Sequence, residues 1–197
     1  MNEEQREITL HTPNKIYTGF VDVGAKAMRT IDIFNSANMY WKNPAERSFD
    51  DALLLHRAKI SLDGGVKIGE FSKVQIRLVD IILFIDSLGQ TGCQTEKVRA
   101  AALKQKTKEE TSTVQILTRA WGGSFYYIRG TFYGLFKSKS SKRYVPITQA
   151  NVQKITRTGE KWQKSELVID NAFVGVSTSH IEACAFGAKS EPDQPAT

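Results

Sequence analysis

Apolar and polar positions alternate in short runs along most of this chain, and few runs last beyond about eight residues. "REITLHT" (6–12), "IYTGFVDV" (16–23) and "VQIRLVDIILF" (74–84) carry this period-two pattern in the first half. "STVQILT" (112–118) and "YIRGTFYG" (127–134) carry it in the second. A period of two puts alternate side chains on opposite faces, so these runs predict half-buried β-strands. The stretch 53–85 predicts three strands, two of them joined by a tight turn at Asp63-Gly64-Gly65, where glycine tolerates positive φ. Helical patterning is confined to residues 96–106, which are rich in Ala, Lys, Gln, Leu and Glu. Val98, Ala101, Ala102 and Leu103 give that segment only a narrow apolar stripe, which suits a short connecting helix.

The features recur in the same order on either side of that segment. Residues 6–12 match 112–118, and 16–23 match 127–134 with Gly19 and Gly130 in register. "RTIDIFNSAN" (29–38) lies against "RYVPITQAN" (143–151), and residues 74–84 resemble 174–186 with Asp80-Ile81 opposite His180-Ile181. This order predicts an internal duplication of a unit with about five short strands. An open sheet of that size leaves edges and one face unprotected, and curling it into a small barrel removes the exposed edges. The expected fold is therefore mainly β: two tandem, strongly bent β-barrels of SH3-like or Sm-like kind, joined by a short helical linker. The expected boundaries are 1–87, a partly helical linker at 88–112, 113–187, and a disordered polar tail at 188–197.

"ITLHTPNKIYTGFVDV", with its central Gly19, and "IRLVDI", with Arg77, Asp80 and Ile81, resemble the Sm-like (Hfq-like) family of small β-barrels. "SHIEACA" is similar to that family's histidine-containing closing strand, with His180 at the matching place. The resemblance implies the fold. It does not carry over the family's uridine pocket, because Leu78 stands where a glycine follows the arginine and no Asp-x-x-x-Asn loop follows Gly19.

Composition narrows the function classes. The longest apolar run, "IILFI" (81–85), is far below the roughly 18 residues of a membrane-spanning helix. The first ten residues are acidic and polar, unlike a secretory signal, and the two cysteines, Cys93 and Cys184, are far apart. A reducing, cytoplasmic setting is expected. The net charge of +6 is uneven. Residues 1–87 hold 11 Lys/Arg against 12 Asp/Glu, whereas 88–187 hold 15 against 7. Such asymmetry marks either a polyanion-binding surface or a face for an acidic partner. The chain has no phosphate-binding glycine loop, no dinucleotide fingerprint and no H-E-x-x-H, and its three histidines are widely separated. No cofactor, metal site or catalytic residue is expected.

The most informative stretch is "WGGSFYYIRGTFYGLF" (121–136). On a strand, Phe125, Tyr127, Arg129, Thr131 and Tyr133 share one face, while Tyr126, Ile128 and Phe132 share the other. A barrel has one interior, so one of these aromatic faces must lie outside it. Beyond it, Lys137, Lys139, Lys142 and Arg143 form a basic connection. The expected function is a non-enzymatic interaction or scaffold protein, part of a larger assembly through a protein partner or self-association. The alternative is binding of RNA or single-stranded DNA through the basic, aromatic second barrel. Phe125, Tyr127, Arg129, Tyr133, Lys137, Lys139, Lys142 and Arg143 are the candidate contacts in either case.

Overall fold

The computed structural model describes residues 5–22, 30–35, 51–86, 111–133, 143–169 and 173–187. They form eleven strands and one short helix. The first half holds β1 (Gln5–His11), β2 (Lys15–Asp22), α1 (Thr30–Asn35), β3 (Ala52–Leu62), β4 (Lys67–Arg77) and β5 (Leu83–Asp86). The second half holds β6 (Thr111–Thr118), β7 (Ser124–Tyr133), β8 (Tyr144–Thr158), β9 (Lys161–Leu167), β10 (Val174–Ser177) and β11 (Ile181–Phe186). All pairings are antiparallel, in the order β11-β6-β7-β8-β10-β5-β1-β2-β3-β4, with β9 also on β8. The chain is mainly β, and among the described residues no helix is long and apolar enough to cross a membrane. The expected linker helix (96–106) and polar tail (188–197) lie outside the described residues.

The alternation anticipated in the sequence sets the two cores. On β1, Ile8 and Leu10 are buried while Glu7 and Thr9 are half-buried. On β6 and β7, Val114, Ile116, Tyr126, Ile128 and Phe132 point inward. The pairing order β5-β1-β2-β3-β4 in the first half recurs as β11-β6-β7-β8-β9 in the second. β10 occupies on β8 the place that the end of β4 holds on β3: Tyr144 faces Ser177 as Ala52 faces Arg77.

Two local devices recur as well. Gly19 of β2 and Gly130 of β7 each face a bulge in the next strand, where Arg57 (φ 49°) and Gln149 (φ 50°) adopt the left-handed conformation. A Cβ on Gly19 would lie 2.7 Å from the His56 carbonyl oxygen, and one on Gly130 would lie 2.7 Å from that of Thr148. Only glycine lets the bulged strand approach so closely. Single 3₁₀ turns, Leu78–Asp80 and Thr178–His180, then precede Ile81 and Ile181 with matching extended flanks.

One expected match fails. Residues 29–38 do not correspond to 143–151: Thr30–Asn35 is helix α1, whereas Tyr144 opens β8. In α1, Thr30, Ile31, Ile33 and Phe34 are buried, a spacing that suits a helical turn better than a pleated strand. By pairing order the counterpart of β8 is β3.

The halves are not independent bodies. β5 pairs with β10, setting Ile85, Phe84 and Leu83 opposite Val174, Gly175 and Val176. Tyr144 sits in the first core, stacked edge-on to Phe34 and Phe84, while Ile82 and Leu83 pack in the second. Asn35 holds the Tyr144 main chain with both ends of its amide, at 3.0 and 2.9 Å, and the Tyr144 hydroxyl donates to the Leu78 carbonyl at 2.7 Å. His11 bonds the Tyr126 hydroxyl at 3.2 Å, and Lys154 is ion-paired with Asp63 across the seam.

Candidate interaction face

The inward face of β7 is consumed by the second core, which sends Phe125, Tyr127, Arg129 and Thr131 outward, where each is half-buried. Strand register decides which side chains join them. On β6, Leu117 lies beside Tyr127 and Gln115 beside Arg129. On β8, Ile155, Gln153 and Asn151 lie beside Phe125, Tyr127 and Arg129. The turn at Gly159 folds β9 back so that Trp162 faces Arg157, and Lys164 faces Ile155.

The result is a tiled aromatic surface. The Phe125 and Trp162 rings meet edge-on at 5.8 Å, and Trp162 is 55% exposed. The Tyr127 hydroxyl donates to Gln115 at 2.8 Å, which fixes the ring, and the Arg129 guanidinium lies 5.8 Å from that ring. Leu117 is also exposed. Arg157 and Lys164 stand exposed around the rings, and Glu166 is held by the Asn151 amide.

The first half gives an internal comparison. Aligning Gly19 with Gly130 sets Asn14, Ile16 and Thr18 where the second half has Phe125, Tyr127 and Arg129. Phe20 is the aromatic ring on the corresponding outer face of β2, and Arg57 covers it at 4.0 Å. The same backbone therefore presents a mixed polar face in one half and an aromatic one in the other.

Of the expected contacts, the structure brings Phe125, Tyr127 and Arg129 together. Tyr133 ends β7 opposite Thr111. Lys137, Lys139 and Lys142 lie outside the described residues. Arg143 is separated from this face by the Gln149 bulge and belongs to another feature. It pairs with Asp51 at 3.0 Å beside a cavity of about 470 Å³ between the two 3₁₀ turns, lined also by Arg77, Leu78, Val79, Tyr144 and 177–179. Most polar groups there are already engaged. Thr178 donates to the Arg143 carbonyl through both N–H (2.8 Å) and hydroxyl (3.0 Å), and Ser177 bonds Ser179 at 2.9 Å. The cavity is thus part of the seam between halves.

Trp162, Ile155, Arg157 and Lys164 were not singled out from sequence. The signal was present in "ITRTGEKWQK", a glycine turn between two alternating runs, but their shared face depends on pairing across β8. His180 is buried at the seam: Trp121 Nε1 donates to its Nδ1 (3.3 Å), so Nε2 carries the proton and donates to the Val79 carbonyl (2.8 Å). Burial holds the Cys184 thiol above its ordinary range. Among the described residues, no three His, Cys, Asp or Glu side chains converge as a metal site. Compared with known protein families, curated proteins and solved structures, the chain matches none.

Proposed function

We propose that the chain is a non-enzymatic interaction protein: two copies of one bent, five-stranded SH3-like or Sm-like unit, fused rigidly, with the outer face of the second as the docking surface. The repeated strand order, paired bulges and paired 3₁₀ turns support the duplication. One observation carries the function: Phe125, Tyr127 and Trp162 are clustered and accessible on a face whose counterpart in the first half is mixed, with Asn14, Ile16, Thr18 and the Arg57-covered Phe20. Contiguous rings that reach solvent, two half-buried and one exposed, cost solubility, so such a patch fits a surface that is covered in use.

The test is light scattering of the full chain purified from its native source, beside Trp162→Ser. The proposal expects an assembly or bound partner that the exposed substitution releases without unfolding the chain. A bare monomer with an indistinguishable variant would overturn it.

A further inference from the structure

From the chemistry of this face, we infer that its occupant is single-stranded nucleic acid; the inference rests on the docking-face proposal and names its partner. Three observations converge. The rings are spaced for a strand of bases: Phe125 and Tyr127 are two residues apart on one β-strand, about 7 Å, and Trp162 adjoins Phe125 at 5.8 Å. Every base has a π-face, so such a platform accepts successive bases without reading their edges.

Cations are set among the rings. Arg129 flanks Tyr127, Arg157 faces Trp162, and Lys164 adjoins Ile155, beside Phe125. Protein–protein interface cores favour arginine but are depleted of lysine, so the two arginines suit either partner and Lys164 beside the rings favours phosphates. Among the described residues of β7, β8 and β9, the one carboxylate on this face is Glu166, and the Asn151 amide engages it.

The third observation is where the charge lies. Among the described residues the second half holds 7 Lys/Arg against 3 Asp/Glu, while the first half holds 7 against 8. The half with the aromatic face is the half with the positive field, which attracts a polyanion and repels a basic partner. A duplex hides its base faces, so the platform selects single strands.

The experiment is fluorescence anisotropy of labelled dT12 and rU12 with the full chain at 20–300 mM salt, with circular dichroism of each variant. Binding is expected at low salt. Three phosphate contacts give a log–log salt slope of about −2, hence roughly 20-fold weaker binding at 200 mM than at 50 mM. Trp162→Ala, which removes one stacking ring, is expected to weaken binding about 5- to 150-fold. Arg157→Ser lowers the slope, and Lys59→Ser, on the first half's outer face, leaves both affinity and slope unchanged. An equal preference for a blunt duplex, or equal loss in Lys59→Ser and Arg157→Ser, overturns the inference as unspecific charge attraction. If neither oligonucleotide binds at 20 mM salt while Trp162→Ser still releases an assembly in the scattering experiment, the nucleic-acid inference falls and the docking face stands. If both experiments are flat, both fall.

Discussion

Replacing Gly175 with alanine should destabilise the whole chain by about 2 kcal/mol, although the substitution adds one methyl group. Gly175 is buried in β10 opposite Phe84 of β5, where the two halves join. A Cβ there would sit 2.0 Å from Phe84 Cε1 and 2.2 Å from Cζ. Carbon atoms rest about 3.5–4.0 Å apart, so the ring would have to retreat by roughly 1.5 Å. It has no room to do so. Phe34 is stacked on it at 3.9 Å, and Tyr144 and Phe173 stand at 5.7 and 6.3 Å.

Overpacking a closed core costs about 1–3 kcal/mol and at times more. Against that, glycine to alanine in extended backbone lowers unfolded-state entropy and would otherwise stabilise by about 0.4–1 kcal/mol. The clash therefore has to exceed that gain, and the displacement required places it at the upper end of the range. Urea unfolding followed by fluorescence and far-UV circular dichroism measures the loss. The two signals should coincide in one transition, because each core contains residues of the other half. Phe84→Leu shortens the ring that the methyl meets, so the double variant should be about 2 kcal/mol more stable than additivity predicts. A Gly175→Ala loss below about 0.5 kcal/mol, or strict additivity in the cycle, would refute the steric account.

Burial, reinforced by the Lys154 charge, brings the His11 pKa down to about 4. The unfolded chain takes up that proton near pH 6.5, so it binds more protons in the interval. Stability should then fall as pH drops from about 7 toward 4, by up to about 3 kcal/mol. His11→Gln should flatten that part of a urea-midpoint profile, and an unchanged slope would count against the assignment. Asn35→Ala strips both main-chain bonds from Tyr144 and should cost about 2–3 kcal/mol in chemical denaturation; a loss under half a kcal/mol would show that the pair is made only in passing. Gly19→Ala and Gly130→Ala should each lower stability by about 2–3 kcal/mol because the added carbon meets a carbonyl oxygen. Gly69→Ala, whose nearest neighbour is Phe71 at 3.4 Å, should be near neutral, and equal effects at all three sites would disprove the bulge argument.

Sequence patterning located features whose cause is local. The alternation in β1, β2, β6 and β7 follows from one wet and one dry face, and the Gly19–Gly130 match reflects the same close approach in both halves. That one aromatic face of β7 lies outside was likewise legible, because aromatics on both faces of one strand cannot share one interior. That it is the face of Phe125, Tyr127 and Arg129 came from the packing of Tyr126, Ile128 and Phe132 in the second core. What escaped was non-local. Six residues of α1 are too few to establish a period, and the match of β8 to β3 rests on hydrogen-bond partners, since "YVPITQANVQKITRT" and "ALLLHRAKISL" share little beyond apolar spacing. Trp162 joined the aromatic face through a hairpin register, and the fused cores depend on a strand pair spanning nearly half the chain.

That strand pair also has a consequence in time. Ile85 pairs with Val174, so β5 must wait for its neighbour until the ribosome has added roughly ninety further residues. At about 5–20 residues per second the wait is on the order of 5–18 s, far longer than a hairpin needs to close. During it, the nascent first half carries an uncovered strand edge along β5, at the end of its own strand order, with Phe84 lacking the backbone of Gly175 against which it finally rests. Chains released early by truncation would keep that edge permanently and should aggregate. The join that makes the finished molecule a single body thus sets the period in which its synthesis is most vulnerable.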